Sequence, residues 1–125
     1  MERDKTILSM LLLIVVLVLT NCSKDEAETN QKELIGTWIA VDKSDTLAFT
    51  SEHDFYKSNG YMVYDHYDYV LFKDSIEIGY RGKMYVLVYP TMHKYSIYNG
   101  SLTIDFSNKH CYGFSSQKMT YTKEK

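Results

Sequence analysis

Residues 94–106 read Lys94-Tyr95-Ser96-Ile97-Tyr98-Asn99-Gly100-Ser101-Leu102-Thr103-Ile104-Asp105-Phe106. Apolar and polar residues alternate after the central Asn-Gly, as they do in a strand with one buried face. Asn-Gly accepts the positive φ angles of a type I′ turn, the favoured two-residue connection of a β-hairpin. Leu102, Ile104 and Phe106 then share one face of the second strand. The stretch therefore predicts an antiparallel hairpin.

Similar short segments, separated by turn residues, follow one another through most of the chain after Leu34. The other predicted strands are Gly36–Val41, Thr46–Thr50, His53–Ser58, Tyr61–Phe72, Ser75–Tyr80, Lys83–Tyr89 and Lys118–Thr122. A second turn is predicted at Asn59-Gly60, and a single helical turn at Glu33–Ile35. The fold class is all-β: a small antiparallel meander of about eight short strands. Closure into a barrel is favoured because it removes exposed strand edges, and a two-sheet sandwich is the alternative.

The segment Tyr61–Phe72 has a polar middle, so that neither of its two faces is wholly apolar. We therefore expect the chain to leave the sheet near Asp65–Asp68 and to form a loop there. His66 and Asp68 lie two residues apart and share a strand face. A metal pair or an acid–base pair would use these residue types, but no third ligand lies at a diagnostic spacing, and the pattern favours a solvated pair.

The first residues of the chain have the pattern of an export signal. A continuous apolar run, Ile7–Leu19, is short for a membrane-spanning helix, which needs about 20 residues. It ends at Leu19-Thr20-Asn21-Cys22, which resembles the lipobox of bacterial lipoproteins. The resemblance implies a signal helix over residues 1–21, acylation of Cys22 with palmitate-type chains, and a lipidated flexible tether over 22–33. Cys22-Ser23-Lys24-Asp25-Glu26 is also similar to the tag that sends some lipoproteins to the outer membrane and the cell surface.

Composition limits the functions of the remaining domain, residues 34–125. The formal net charge of the chain is −2, which is too weak a field to favour a nucleic-acid partner. Cys111 has no partner for an intrachain disulfide once Cys22 is acylated, so it is interpreted as a small core residue. His53, His93 and His110 lie near predicted turns and are expected at the surface.

Leu34-Ile35-Gly36-Thr37-Trp38 opens the domain and resembles the Gly-x-Trp signature on the first strand of lipocalins and related calycin barrels. In that family the Trp closes the base of the barrel beneath a basic residue from the end of the chain. Lys118 or Lys123 would supply the basic group here. The resemblance implies a small lipocalin-like barrel with a binding site for a small apolar or amphiphilic ligand.

The residues predicted to point inward, and to contact such a ligand, are Trp38, Leu47, Phe49, Ile76, Ile78, Ile97, Leu102, Ile104 and Phe106. The alternative function is a surface interaction or adhesion module that holds a glycan or a protein through exposed tyrosines. Tyr64, Tyr67, Tyr69, Tyr85 and Tyr89 are the candidates for that tyrosine-rich face. The sequence contains no nucleophile elbow, no zinc-binding spacing and no phosphate-binding loop, so we expect neither an enzyme nor a metal or cofactor site.

Overall fold

The structure is a computed structural model that describes residues 26–59 and 65–125. These residues form one helix, α1 (residues 26–34), and eight strands. The strands are β1 (Gly36–Ala40), β2 (Thr46–Phe49), β3 (Asp54–Ser58), β4 (Asp65–Leu71), β5 (Ser75–Tyr80), β6 (Thr91–Tyr98), β7 (Ser101–Asp105) and β8 (Lys118–Lys123). Each strand pairs antiparallel with the next, and β8 pairs with β1. The predicted meander closed into a barrel is thus confirmed over the sandwich.

The β6–β7 hairpin has the predicted turn. Asn99 and Gly100 both have positive φ angles, 49° and 71°, as a type I′ turn requires. The register across the hairpin pairs Ile97 with Leu102 and Tyr95 with Ile104. The local sequence and the tertiary pairing therefore agree here.

The barrel interior is filled by side chains from alternate positions of every strand, as the two-residue period of a strand dictates. The interior is rich in aromatic rings. Phe55 stacks on Tyr67 with 5.0 Å between ring centroids, and Phe49 lies 5.2 Å from Tyr69 in an edge-on arrangement. The buried apolar residues of the strands are Trp38, Ala40, Leu47, Phe49, Phe55, Tyr67, Tyr69, Ile76, Ile78, Tyr95, Leu102, Ile104, Met119 and Tyr121.

The predicted loop at Asp65–Asp68 is wrong, because these residues begin the regular strand β4. Tyr67 pairs with Phe55 on one side and with Tyr80 on the other, so the ladder continues through the polar stretch. Tyr67 and Tyr69 point inward and their rings fill the core, while Asp65, on the same face, lies at the end of the strand and is half-buried. Its polar residues, His66 and Asp68, face outward.

The predicted strand Lys83–Tyr89 is also wrong. These residues belong to the connection 81–90 between β5 and β6, and the part of the chain that the structure describes offers them no strand partner. The reason is topological. β5 pairs directly with β4 and β6, with Ile78 opposite Thr91, and a closed barrel has no free edge for another strand.

The barrel has two distinct ends because successive connections of an antiparallel meander alternate between them. Helix α1 covers one end, which we call the closed end; its residues 26–33 lie within the segment that the sequence assigns to the tether. Leu34 is buried there, and its carbonyl accepts a hydrogen bond from Trp38 Nε1 at 2.8 Å. Gln31 and Asn30 of the helix donate hydrogen bonds to the hydroxyls of Tyr69 and Tyr95. The connections 41–45, 81–90 and 106–117 lie at the opposite end, the mouth.

Cys22 and the predicted signal helix, residues 1–21, lie outside the described residues. The same is true of Gly60, and therefore of the predicted Asn59-Gly60 turn, and of Tyr64.

Candidate functional site

The nine residues predicted to contact a ligand lie in the core. Eight of them are at most 2% exposed, and the ninth, Ile97, is half-buried and packs against the same cluster. A side chain that borders a void of water size keeps accessible surface in that void. Trp38, Leu47 and Ile104 are 0% exposed and therefore border no such space. These residues form the packed core, and their contact with a ligand remains a prediction.

The mouth of the barrel is filled by its own connection 106–117. Phe114, from this connection, stacks on Phe106 with 4.4 Å between centroids and lies 5.4 Å from the ring of Tyr67. The Tyr67 hydroxyl donates a hydrogen bond to the Tyr112 carbonyl at 2.9 Å. Cys111 is buried beside these rings, as the sequence predicts. The sequence alone does not predict that this connection fills the mouth, because Cys111–Phe114 shows neither the period of a strand nor that of a helix.

A half-buried ion pair lies at the mouth. Lys57 Nζ is 3.3 Å from Asp45 Oδ1, with side-chain exposures of only 11% and 14%. The same Nζ lies 5.3 Å from the centroid of the Phe114 ring, a cation–π distance. Lys57 shares its strand face with Phe55, so its charge is held inside the rim of the barrel. An inward lysine without a carboxylate would be an uncompensated, partly buried charge, and Asp45 supplies the opposite charge.

Two further polar side chains near the mouth are buried. The hydroxyl of Tyr121 makes no hydrogen bond to the described residues. His93 is 3% exposed, so its predicted surface position is wrong; its Nε2 lies 2.6 Å from Thr91 Oγ1. Burial lowers the pKa of His93, although the nearby backbone and carboxylate of Asp105 oppose that shift. His93 Nδ1 itself makes no hydrogen bond of good geometry to the described residues.

Cys111 is not an activated nucleophile. Burial raises the pKa of its thiol to about 11, although a hydrogen bond with Thr91 and the charge of Lys57 act in the opposite direction. The reactive form of cysteine is the thiolate, which is scarce at neutral pH when the pKa is this high. The thiol therefore acts as a core side chain.

His66 and Asp68 do not form a joint site. His66 Nε2 lies 2.7 Å from Asp54 Oδ1, and its ring stacks on Tyr56 with centroids 4.8 Å apart. Asp68 instead accepts a hydrogen bond from Arg81 Nε at 2.6 Å. Both pairs lie on the outer face of the barrel. Among residues 26–59 and 65–125, no three His, Cys, Asp or Glu side chains come together as a metal site would require.

The most unusual surface of the molecule is the run Met84-Tyr85-Val86-Leu87-Val88-Tyr89, which we call the apolar segment. All six residues are exposed. The exposures alternate: Tyr85, Leu87 and Tyr89 are 107%, 88% and 79% exposed, whereas Val86 and Val88 are both 38% exposed. From Val86 to Tyr89 this alternation has the period of an extended strand with its valines turned towards the protein. The chain turns at Tyr85, where the Met84 carbonyl accepts from Val86 N as in a γ-turn. The segment carries no charge and no hydrogen-bonding side chain other than the two phenols.

The backbone of the apolar segment makes few hydrogen bonds to residues 26–59 and 65–125. Val86 N donates to the Met84 carbonyl, and Met84 N donates to the Tyr80 hydroxyl. Leu87, Val88 and Tyr89 make no hydrogen bond to the described residues. A groove of about 420 Å³ runs beside the segment and includes Tyr80 and Gly82 in its walls. Extended, apolar and unpaired backbone is the usual template for pairing with another strand.

The predicted tyrosine-rich face is only partly exposed. Tyr67 and Tyr69 are buried in the core, at 0% and 2% exposure, so their assignment to an exposed strip is wrong. Tyr85 and Tyr89 are exposed as predicted. One sequence feature distinguishes the buried tyrosines from the exposed ones. In β4 the tyrosines alternate with polar residues, whereas in the apolar segment they alternate with apolar residues.

Comparison with known proteins found no matching family model, no matching curated protein and no matching solved structure. Among the described residues, no helix is both long enough and apolar enough to cross a membrane.

Proposed function

We propose that this chain is a lipid-anchored protein of the bacterial envelope whose small lipocalin-like barrel binds a protein partner through the apolar segment. The observation that carries the proposal is the exposure of six consecutive uncharged residues, Met84–Tyr89, of which Leu87, Val88 and Tyr89 make no backbone hydrogen bond to the described residues. Large exposed apolar patches are rare on monomeric proteins and typically mark interaction sites.

A protein strand fits the apolar segment better than a glycan does. Leu87, Val88 and Tyr89 make no backbone hydrogen bond within the part of the chain that the structure describes, and main-chain hydrogen bonds supply the affinity when one strand is added to another. A sugar ring carries many hydroxyls, which would lose their hydrogen bonds against Val86, Leu87 and Val88. The two tyrosines alone offer too few polar groups to replace them.

The lipid anchor is proposed from Cys22 and its lipobox-like context. Four residue steps separate Cys22 from Glu26, the first described residue of α1. An extended chain spans at most about 3.6 Å per residue, so the start of the helix stays within about 15 Å of the anchored residue. Glu26 pairs with Lys73 at the closed end. The closed end thus faces the membrane, most simply the outer membrane, and the mouth points away from it.

The lipocalin-like assignment rests on the base of the barrel. Lys123 Nζ lies 5.4 Å from the centroid of the Trp38 ring, which is the place the resemblance gives to a basic residue. Gly36, Trp38 and Lys123 thereby reproduce the expected arrangement of glycine, indole and cation around a closed barrel end.

A second candidate function is transport of a small apolar or amphiphilic ligand inside the barrel. The buried hydroxyl of Tyr121, which has no hydrogen-bond partner among the described residues, favours it, because a bound polar group would satisfy that oxygen. The close packing of Phe106, Phe114 and Tyr67 opposes it. Native mass spectrometry of the purified protein tests this candidate: a co-purifying small molecule supports it, and a bare chain mass counts against it.

Site-specific photo-cross-linking in cells tests the main proposal. A photoreactive amino acid replaces Leu87 in the full chain, and the control replaces Tyr98, which is 76% exposed at the opposite end of the barrel. We expect a discrete protein adduct from position 87 and none from position 98. The adduct should disappear when Val86 and Val88 are both changed to Asp. Equal labelling at both positions, or none at position 87, contradicts the proposal.

The anchor has its own test. Cys22→Ala should abolish incorporation of labelled fatty acid, while Cys111→Ala should leave it unchanged. Labelling that persists in Cys22→Ala contradicts the lipoprotein assignment, whatever the outcome of the cross-linking experiment.

A further inference from the structure

The apolar segment reads the same in both directions around Leu87. The five residues Tyr85-Val86-Leu87-Val88-Tyr89 form a palindrome. Antiparallel pairing of this strand with a second copy of itself, centred on Leu87, places Tyr85 opposite Tyr89 of the second copy. It also places each Val86 opposite a Val88, and the two Leu87 residues opposite each other. Cross-strand pairs of aromatic and β-branched residues are favourable pairs in sheets.

The exposure pattern suits this pairing. The period-2 alternation puts Tyr85, Leu87 and Tyr89 on one face of the strand and the two valines on the other, towards the barrel. In a pair of copies the first face would carry four tyrosines around two leucines. The backbone groups of Leu87, Val88 and Tyr89 make no hydrogen bond to the described residues that would compete with the ladder. The bond from Val86 N to the Met84 carbonyl closes a γ-turn at Tyr85, and this turn opens when Tyr85 joins the ladder. No charge lies within the segment, and two copies therefore meet without repulsion there.

The ends of the segment limit the pairing to this register. Pro90 has no backbone N–H and cannot continue a ladder. A slip by one residue would turn the tyrosines of one copy towards the valine face, and a slip by two would leave a tyrosine of each copy without a partner. The register centred on Leu87 therefore gives the largest number of tyrosine–tyrosine, valine–valine and leucine–leucine pairs.

We propose that the partner of the apolar segment is a second copy of this chain, bound by an antiparallel strand pair with Leu87 on the two-fold axis. This inference rests on the proposed function and names its partner. A two-fold contact of this kind uses the same patch on both copies and closes at the dimer. Stable interfaces bury about 1,200–2,000 Å², and a five-residue strand pair is small by that measure. The dimer is therefore reversible and concentration-dependent.

Cysteine cross-linking of the full chain tests both the partner and the register. Leu87→Cys places two thiols on the axis, within the Cα separation of about 4.4–6.8 Å that a disulfide accepts. Tyr85→Cys places its two thiols four residues apart along the strands, about 13 Å, which is too far. When the Tyr85→Cys and Tyr89→Cys variants are mixed, the cysteine of one variant lies opposite the cysteine of the other, within disulfide distance. Val41→Cys, 67% exposed at the same end of the barrel, measures random collisions.

We expect a disulfide-linked dimer from Leu87→Cys and from the Tyr85→Cys and Tyr89→Cys mixture under mild oxidation. Tyr85→Cys alone and Val41→Cys should give no more dimer than the parent chain. In sedimentation experiments Leu87→Lys should raise the dimer dissociation constant at least about tenfold, because it places two ammonium groups directly opposite each other on the two-fold axis. Its far-ultraviolet circular dichroism should match the parent, since position 87 is outside the core.

The outcomes separate this inference from the proposed function. If Leu87→Cys forms no dimer while the photoreactive group at position 87 captures a different protein, the second copy is overturned and the interaction function stands. If neither experiment gives an adduct, both fail. Equal dimer formation by Leu87→Cys, Tyr85→Cys and Val41→Cys overturns the two-fold register.

Discussion

Lys123 joins the two ends of the described domain by covering Trp38. Its Nζ lies 5.4 Å from the centroid of the indole ring and donates a 2.6 Å hydrogen bond to the carbonyl of Glu33 in the last turn of α1. Cations near a helix C-terminus also interact favourably with the helix dipole. Gly36 makes room for this side chain, since a Cβ at that position would lie 3.0 Å from Lys123 Cε. One lysine thus fixes the helix, the first strand and the last strand to one another.

Lys123→Ala should lower the free energy of unfolding by about 1–2 kcal/mol, because it removes a charged hydrogen bond and a cation–π contact. Urea unfolding followed by Trp38 fluorescence measures this loss. Lys125→Ala, which alters an exposed residue at the chain end, is the matched control and should change stability by less than about 0.5 kcal/mol. Equal effects of the two substitutions would contradict the role given to Lys123.

Gly113→Ala should be much more damaging than Gly100→Ala. Both glycines have positive φ angles, 86° and 71°, so each substitution strains the backbone by about 1 kcal/mol. A Cβ at Gly113 would also overlap the Tyr67 hydroxyl, whereas a Cβ at Gly100 meets nothing within 4 Å. We expect losses of about 2–4 kcal/mol and about 1 kcal/mol respectively in urea unfolding.

A double substitution identifies the cause of that difference. Tyr67→Phe removes the overlapping oxygen, so Gly113→Ala should cost less in the Tyr67→Phe background than in the parent. Strictly additive losses would show that the Tyr67 hydroxyl does not set the requirement for glycine at position 113.

Phe114→Ala should open the mouth of the barrel. Phe114 is 5% exposed and packs on Phe106, so its truncation should destabilise the domain by about 3–5 kcal/mol. The vacated space should bind a fluorescent apolar probe that the parent chain does not bind. Tyr98→Ala, at an exposed position, should alter neither stability nor probe binding. Strong probe binding by the parent would instead favour an open barrel and the ligand-transport function.

Stability should decline in alkaline solution. Burial raises the pKa of the Cys111 thiol from 9.0 to about 11 and that of the Tyr69 phenol from 10.0 to about 12. It also raises the pKa values of Tyr67, Tyr95 and Tyr121. The unfolded chain loses these protons first, so the stabilisation is complete below about pH 9 and is lost as the pH rises towards the folded values.

Tyrosinate absorbance and circular dichroism, recorded over the same pH series, check this expectation. The four buried phenols should ionise over the same pH range in which the structure is lost. In urea, no tyrosine should ionise at a higher pH than the others. Full ionisation of all tyrosines while the circular dichroism remains native would contradict the burial of these hydroxyls.

The local pattern was sufficient where a segment alternates cleanly between apolar and polar residues. The hairpin around Asn99-Gly100, the strand Ser75–Tyr80 and eight of the nine inward side chains follow from that period and from turn chemistry. Such features depend on residues that are neighbours in the chain, and their preferences can be read without knowing the fold.

The same reasoning failed in two kinds of strand segment, those rich in tyrosine and those that are wholly apolar. In both, the two faces of the strand do not differ clearly in polarity. Tyr67 and Tyr69 combine a ring that fills the core with a hydroxyl that needs a partner, and Tyr112, Gln31 and Ser51 provide those partners from distant positions. The segment Met84–Tyr89 has the composition of a core strand, yet it lies outside the barrel because β5 and β6 already pair with each other.

The sequence by itself determined an all-β chain, the Asn99-Gly100 turn, most of the core and the lipobox-like context of Cys22, because each depends on a short run of residues. Tertiary structure alone decided that Lys123 rather than Lys118 covers Trp38, that Phe114 fills the mouth, and that Met84–Tyr89 lies outside the barrel instead of forming the predicted strand. The physical reason is closure. Once eight strands satisfy one another's backbone groups, any further apolar segment must either pack into the end of the barrel or stay outside it. Which segment does which depends on the closed sheet and not on the local sequence.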